Sequence, residues 1–173
     1  MPMTTEDKLL VLDTQERLLR FATFTPDDGW RLGNILRRLI LELVAAEPAH
    51  AGVGGTAEIE LTGQILFTCA TAGAKPNQAD WIRRKRNTVH RFERSSYAIG
   101  LTYGHDGAAL LQQFNLPGAD YAAHGGGFPL RVGEACVGSV ILSGFHQRDD
   151  HEIVVASLAE MLGVSVPATP PHE

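Results

Sequence analysis

The sequence predicts an α+β fold, a mainly antiparallel sheet packed between helices. Three observations lead there. The stretch TAEIELTGQILFTCA, Thr56 to Ala70, alternates Ala57, Ile59 and Leu61 with polar residues, turns at Gly63 and returns from Ile65, the pattern of a hairpin. Trp30, Leu32, Leu36, Leu39, Ile40 and Leu43 recur at helical spacing and give a long helix one buried face. Helical segments and antiparallel hairpins are interspersed along the chain, which suits helices layered on a sheet.

The elements follow in order. A short helix runs from about Thr5 to Gln15, and RLLRFATF (Arg17 to Phe24) reads as a strand. TPDDGW starts the long helix: Thr25 can cap, Pro26 fits the first helical position, and Asp27 and Asp28 favour the positive end of the dipole. That helix reaches about Glu47, where Pro48 stops it. After the hairpin and the loop TAGAKPNQ comes a basic helix, DWIRRKRNTVHRFERSS. SYAIGLTY (Ser96 to Tyr103) reads as a strand, and a short helix covers Ala108 to Phe114. GFPLRV and CVGSVILSG are two further strands, the second nearly all apolar and therefore central. RDDHEIVVASLAEML closes the chain as a helix. One domain spans residues 1–166, and the Pro-rich tail, 167–173, is expected to fray.

A chain of 173 residues suits one domain with a sizeable core. Fifteen basic against 20 acidic residues give a formal net charge of −5, the wrong sign for a dedicated nucleic-acid binder. The N-terminus MPMTTEDKLL lacks a secretory pattern, and no apolar run approaches the ~20 residues of a membrane helix. Cys69 and Cys136 lie far apart, outside any CxxC, and read as reduced thiols in strand-like runs. A cytoplasmic protein is expected, with neither nucleic acid nor membrane as a partner.

On a helical wheel the basic helix splits into two faces. Trp81, Ile82, Val89 and Phe92 fall together, and Arg83, Arg86, Asn87, His90, Arg91 and Arg94 spread over the opposite side, solvated or facing a partner. Lys85 falls inside the apolar stripe, between Trp81 and Phe92. A buried ammonium must be paired, or its stem must snorkel the amine to water. If it is paired, its partner is a carboxylate, a carbonyl or a bound anion near the glycine loop. That loop, AAHGGGFPLRV, holds Gly125, Gly126 and Gly127, whose backbone can present N–H groups to an anion or form a tight turn into a strand. It matches neither the dinucleotide fingerprint nor the P-loop. His124 beside it is a candidate acid–base or axial group. In SGFHQRDDHEIVV, the residues Ser143, His146, Asp149, Asp150 and His151 suggest a metal or Ser–His–Asp site. A capping arrangement of Asp149 with Glu152, with Asp150 favouring the helix start, explains the acids better. No HExxH, paired CxxC or GxSxG is present, so no metal site is expected and no catalytic residue is assigned.

Taken together, DWIRRKRNTVHRFERSSY, YAAHGGGFPLRV, VGSVILSG and DDHEIVV resemble uncharacterised protein family 0303, a branch of the haem-degrading-domain superfamily with HbpS-like and GlcG-like proteins. The resemblance runs from about Glu16 to Leu162. It implies an α/β/α sandwich on a mainly antiparallel sheet and assembly into homo-oligomers. Haem binding and slow haem degradation belong to the HbpS-like relatives, so haem is a possible cofactor and weak haem-linked redox chemistry a possible activity. No haem ligand carries over residue by residue, and a Cys-Pro dipeptide is lacking, since Ala70 follows Cys69 and Val137 follows Cys136.

Two functions are consistent with these features. One is an oligomeric protein that binds haem or a related small anionic ligand between the Lys85 helix and the glycine loop. Arg84 and Lys85 would supply charge, His124 an acid–base or axial group, and the Gly125, Gly126 and Gly127 amides hydrogen bonds, with Phe128 and Ser143 alongside. The other is a non-enzymatic assembly or adaptor protein, whose basic helix and glycine loop form subunit or partner contacts.

Overall fold

Thr25 begins the longest helix with a reciprocal cap: its hydroxyl accepts from the Asp28 N–H, and the Asp28 carboxylate accepts from the Thr25 N–H. Thr4 and Asp7 do the same for the first helix. In the computed structural model, which describes residues 3–104 and 107–171, these helices are α1 (Thr5–Leu18) and α2 (Pro26–Ala46). A 3-10 turn at Pro48–His50 leads into β1 (Thr56–Leu61) and β2 (Gln64–Ala70). Then come α3 (Gln78–Phe92), α4 (Ser96–Tyr103), α5 (Ala108–Phe114), β3 (Gly127–Val132), β4 (Ala135–Ser143) and α6 (Gln147–Leu162). The strand order is β2-β1-β4-β3 with every pair antiparallel, so β4 is interior as its composition predicts. Among the described residues no helix is long and apolar enough to cross a membrane.

Side chains alternate along a strand, and here that sorts the sheet into two unlike faces. Ala57, Ile59, Phe67, Phe128, Leu130, Val140 and Leu142 point one way, onto Leu32, Leu36 and Ile40 of α2 and Ile153, Val154 and Leu158 of α6. This is the main core. The opposite face carries Glu58, Glu60 and Ser139, all buried, and Ile141. Helix α3 covers it, with Ile82 and Val89 packed on Ile141. Leu12 of α1 packs on Tyr97, Ala98 and Leu101 of α4.

Four expectations need correction. SYAIGLTY is helix α4, not a strand; Ser95 caps it through the Ala98 N–H, and its residues 96–101 are all buried. A short run buried on every side has no periodicity to read. RLLRFATF is no strand either: Arg17 and Leu18 finish α1, and Phe21 makes one isolated bridge to Val132. Trp30 is 61% exposed, because α2 faces the sheet through Gly29, Leu32, Gly33, Leu36 and Ile40. A Cβ on Gly33 would lie 2.2 Å from the Phe67 ring, so the glycines are contact points that a count of apolar side chains passes over. The Pro-rich tail is bound rather than frayed over its described part, 172–173 lying outside the described residues. Gln15 donates to Pro167 O at 2.9 Å and Arg148 to Thr169 O at 3.2 Å, while Thr169 N donates to Glu152 at 3.1 Å. Beneath the tail, the fully buried His151 meets Gln15 Oε1 through Nε2 at 3.0 Å, and burial holds its pKa down to about 3.

Candidate functional site

The helical period of α3 puts Lys85 on the side that faces the sheet, where it is 2% exposed. Its ammonium donates to Leu142 O at 2.8 Å and to Asp150 Oδ2 at 3.0 Å. The wheel therefore places this residue correctly, and both a carboxylate and a carbonyl satisfy it. Asp150 is equally buried, and its Oδ1 accepts from the Phe145 N–H at 3.0 Å. Burial pushes the Asp150 carboxyl up, against the pull of the Lys85 ammonium and of the Phe145 and Gly144 N–H groups. One carboxylate thus joins α3 to the turn between β4 and α6.

Gly126 makes room for this pair. Its φ is +113°, and a Cβ there would lie 2.2 Å from Leu142 O and 2.8 Å from Lys85 Nζ. An ammonium has three donors. Two are committed, to Leu142 O and Asp150, and among the described residues Lys85 has no third acceptor.

The pair forms the floor of a cavity of about 330 Å³. Lys75, Asn77, Gln78 and Trp81 line it from the start of α3, and His124 lines it from the glycine loop. Ser143, Gly144 and Phe145 close it from the end of β4, and Gln147 from α6. The Trp81 and His124 rings meet edge to face, with centroids 5.1 Å apart.

Of the residues singled out from sequence, Lys85, His124, Ser143 and Asp150 come together here. Arg84 does not line this cavity: its guanidinium lies 4.6 Å from the Trp81 ring centroid and donates to Gly118 O and Tyr121 O. The Gly125 N–H donates to Gln147 Oε1 and the Gly127 N–H to Ser96 Oγ, so these amides are engaged within the chain. Phe128 is buried in the main core, on the other side of the sheet. The remaining candidates from SGFHQRDDHEIVV scatter: His146, not Asp149, caps α6, and His151 sits under the tail. Asp150 does stand in the first turn of α6, and it is also the partner of Lys85.

Several other charged residues of the basic helix are paired too. Arg86 is paired with the buried Glu58, His90 meets the buried Glu60 at 2.7 Å, Arg83 holds Asp80 and Asp120, and Arg94 pairs with Asp13. Much of the positive stretch therefore neutralises acids of the same chain.

The model of the haem degrading protein HbpS-like family matches residues 24–159. The chain belongs to that family. The matched span contains the entire cavity lining. A UPF0303 protein of Serratia proteamaculans is 42% identical over 167 residues, 96% of this chain and 99% of the relative. One of Burkholderia cenocepacia is 47% identical over 153 residues, 88% of each. Among solved structures, the Ybr137w protein superposes with a TM-score of 0.78 at 27% identity, covering 90% of this chain and 87% of that one. A PduOC–haem complex gives 0.58 at 17% identity, covering 80% and 95%, a likeness of fold alone.

Sequence reasoning missed Trp81, Asn77 and Gln147 as cavity residues, and the pairing of Asp150 with Lys85. Asp150 stands in the first turn of α6, where an acid already has a local explanation, so nothing in the sequence marked it as the partner of Lys85.

Proposed function

We propose that the protein binds a small anionic ligand in the cavity floored by Lys85 and Asp150, and that it works in the cytoplasm as a homo-oligomer. The observation behind this is the buried ion pair at the base of a concave, partly aromatic site, an arrangement that clusters at functional sites. The pair of free cysteines supports a reducing compartment. Haem fits the cavity poorly within one chain. About 330 Å³ is near the lower end of sites that bury a drug-sized molecule, so a macrocycle would not be enclosed. Of the side chains that commonly hold haem iron, His124 is the one lining it.

Ligand binding raises the melting temperature by mass action. A panel of small organic acids, inorganic phosphate and haemin tests the assignment. At least one anion should stabilise the protein saturably, and Asn77→Trp, at an exposed rim position, should abolish the effect by filling the mouth. Equal stabilisation of the variant, or none by any member of the panel, would overturn it. A saturable Soret shift lost in His124→Ala would instead put haem in the cavity.

Assembly has its own support. Strand β2, QILFTCA, is an uncharged open edge with Ile65 55% exposed, and natural sheets seldom leave such an edge uncovered. The intramolecular pairing of Arg83, Arg86 and Arg94 favours this edge over the basic helix as the contact. A monomer mass by light scattering at micromolar concentration would refute the oligomer.

A further inference from the structure

We infer that the ligand of this cavity is a small aromatic monocarboxylate, its acid group anchored by the free donor of Lys85 and its ring held between Trp81 and Phe145. This rests on the cavity being the binding site, as proposed above, and specifies what enters it.

Charge sets the acid. The charged side chains lining the cavity are Lys75, Lys85 and Asp150, a balance of one positive charge. A monoanion neutralises it, and a phosphate dianion would bring one negative charge too many into a partly buried site. Donor supply agrees. Beyond Leu142 O and Asp150, Lys85 has no further acceptor among the described residues, which leaves one N–H to give, and the Gly125 amide is engaged by Gln147. The first turn of α6 is also committed, because Arg148 N donates to the His146 ring and Asp149 N to His146 O. A carboxylate can be held by one charge-assisted bond and a rim lysine, whereas phosphate sites recruit several backbone N–H groups at once.

Shape sets the ring. Trp81 and Phe145 come from different elements and both line the space, with the His124 ring beside Trp81. Apolar and aromatic walls with few placed polar groups are what bury a ring. The volume of about 330 Å³ suits a one- or two-ring acid.

Trp81 also provides the readout. The chain has two tryptophans, and Trp30 is exposed on α2, across the sheet, so Trp30→Phe leaves Trp81 as the single reporter. Benzoate, benzamide, acetate and inorganic phosphate are titrated into this protein and Trp81 emission is followed. Benzoate should give a saturable change. Benzamide, which lacks the charge, and acetate, which lacks the ring, should each bind at least about tenfold more weakly, the loss expected for one charged hydrogen bond or one buried ring. Phosphate should also be weaker. Lys85→Met combined with Asp150→Asn removes both charges without leaving either unpaired. It should lower benzoate affinity at least about tenfold and leave benzamide unchanged.

Benzamide binding as tightly as benzoate, or benzoate held equally by the double variant, overturns the anchor. Acetate binding as tightly as benzoate overturns the ring clamp. If phosphate alone binds, and Asn77→Trp abolishes it, the cavity remains the site and the aromatic acid is wrong. If the double variant does not fold, the comparison of benzoate with benzamide on the parent decides the anchor by itself.

Discussion

The two faces of the sheet are built from the same strands, one residue out of step, yet they are packed in different ways. Under α2 and α6, Ile59, Phe128, Leu130 and Val140 pack into an apolar cluster, with the neutral His151 ring beside Phe128. Under α3, Glu58 and Glu60 project from β1 between those apolar residues and are met by Arg86 and His90, and Asp150 meets Lys85. Apolar contact is non-directional and stabilises in proportion to area. A buried ion pair contributes little net stability but is costly to break, because the survivor is left charged and unsolvated. The first face therefore holds the fold together, and the second holds particular groups at particular points. The cavity lies on the second.

The strongest test of this contrast is Asp150→Ala. It strands the Lys85 ammonium and two backbone N–H groups, and should cost about 3–5 kcal/mol in denaturant unfolding. Lys85→Met with Asp150→Asn should recover much of that loss; a double variant as unstable as Asp150→Ala would show that the pair itself stabilises the fold. On the apolar face, Leu36→Ala should cost about 3 kcal/mol, within the usual range for a buried leucine. Benzoate affinity should not move, and a large change would show that the faces are coupled.

An acid titration gives a smaller effect. His151 is neutral when folded, with its pKa held down to about 3, and titrates near 6.5 when unfolded. A base depressed in this way adds stability that is complete above the unfolded value and is lost as pH falls from 6.5 toward 3. Between pH 7 and pH 5 the loss should be about 2 kcal/mol, and His151→Gln should flatten that slope. An unchanged slope would assign the acid sensitivity to the carboxylates. The smallest effect belongs to Arg83→Ala. Its partners Asp80 and Asp120 are exposed, so it should cost under about 1 kcal/mol and less in high salt. Arg86→Ala, which strands the buried Glu58, should cost more than Arg83→Ala, and the reverse order would contradict the division into solvated and buried pairs.

Much of the fold was legible because local chemistry and tertiary structure agree. Thr25, Pro26 and Asp28 start α2 as their residue types require, and Gly63 turns the hairpin. The site was legible at Lys85, because a cation in an apolar stripe breaks the pattern and must be satisfied. Its partner was hidden, since an aspartate near a helix start has an adequate local explanation, and Asp150 meets Lys85 only after the chain has crossed the sheet. Helix α4 was hidden for a different reason. Ser96 to Leu101 is buried on every side, and burial without a period does not separate strand from helix. Arg84 was misplaced because the wheel gives a direction but not what lies there, here the Trp81 ring and two carbonyls.

The bound C-terminal tail has a consequence of its own. Residues 167–171 are held by side chains of α1, α4 and α6 through Gln15, Tyr97, Arg148 and Glu152, and contribute no element to the sheet. In thermodynamic terms the segment is a peptide ligand that the protein carries covalently, its binding made intramolecular by a short tether after α6. Tethering raises effective concentration to about the millimolar range for short flexible linkers. A chain ending at Val166 would keep the receptor groove and lose that concentration. A synthetic PATPP peptide should then rebind only at about millimolar levels, re-covering His151 and restoring the contact of α1 with α6 in trans.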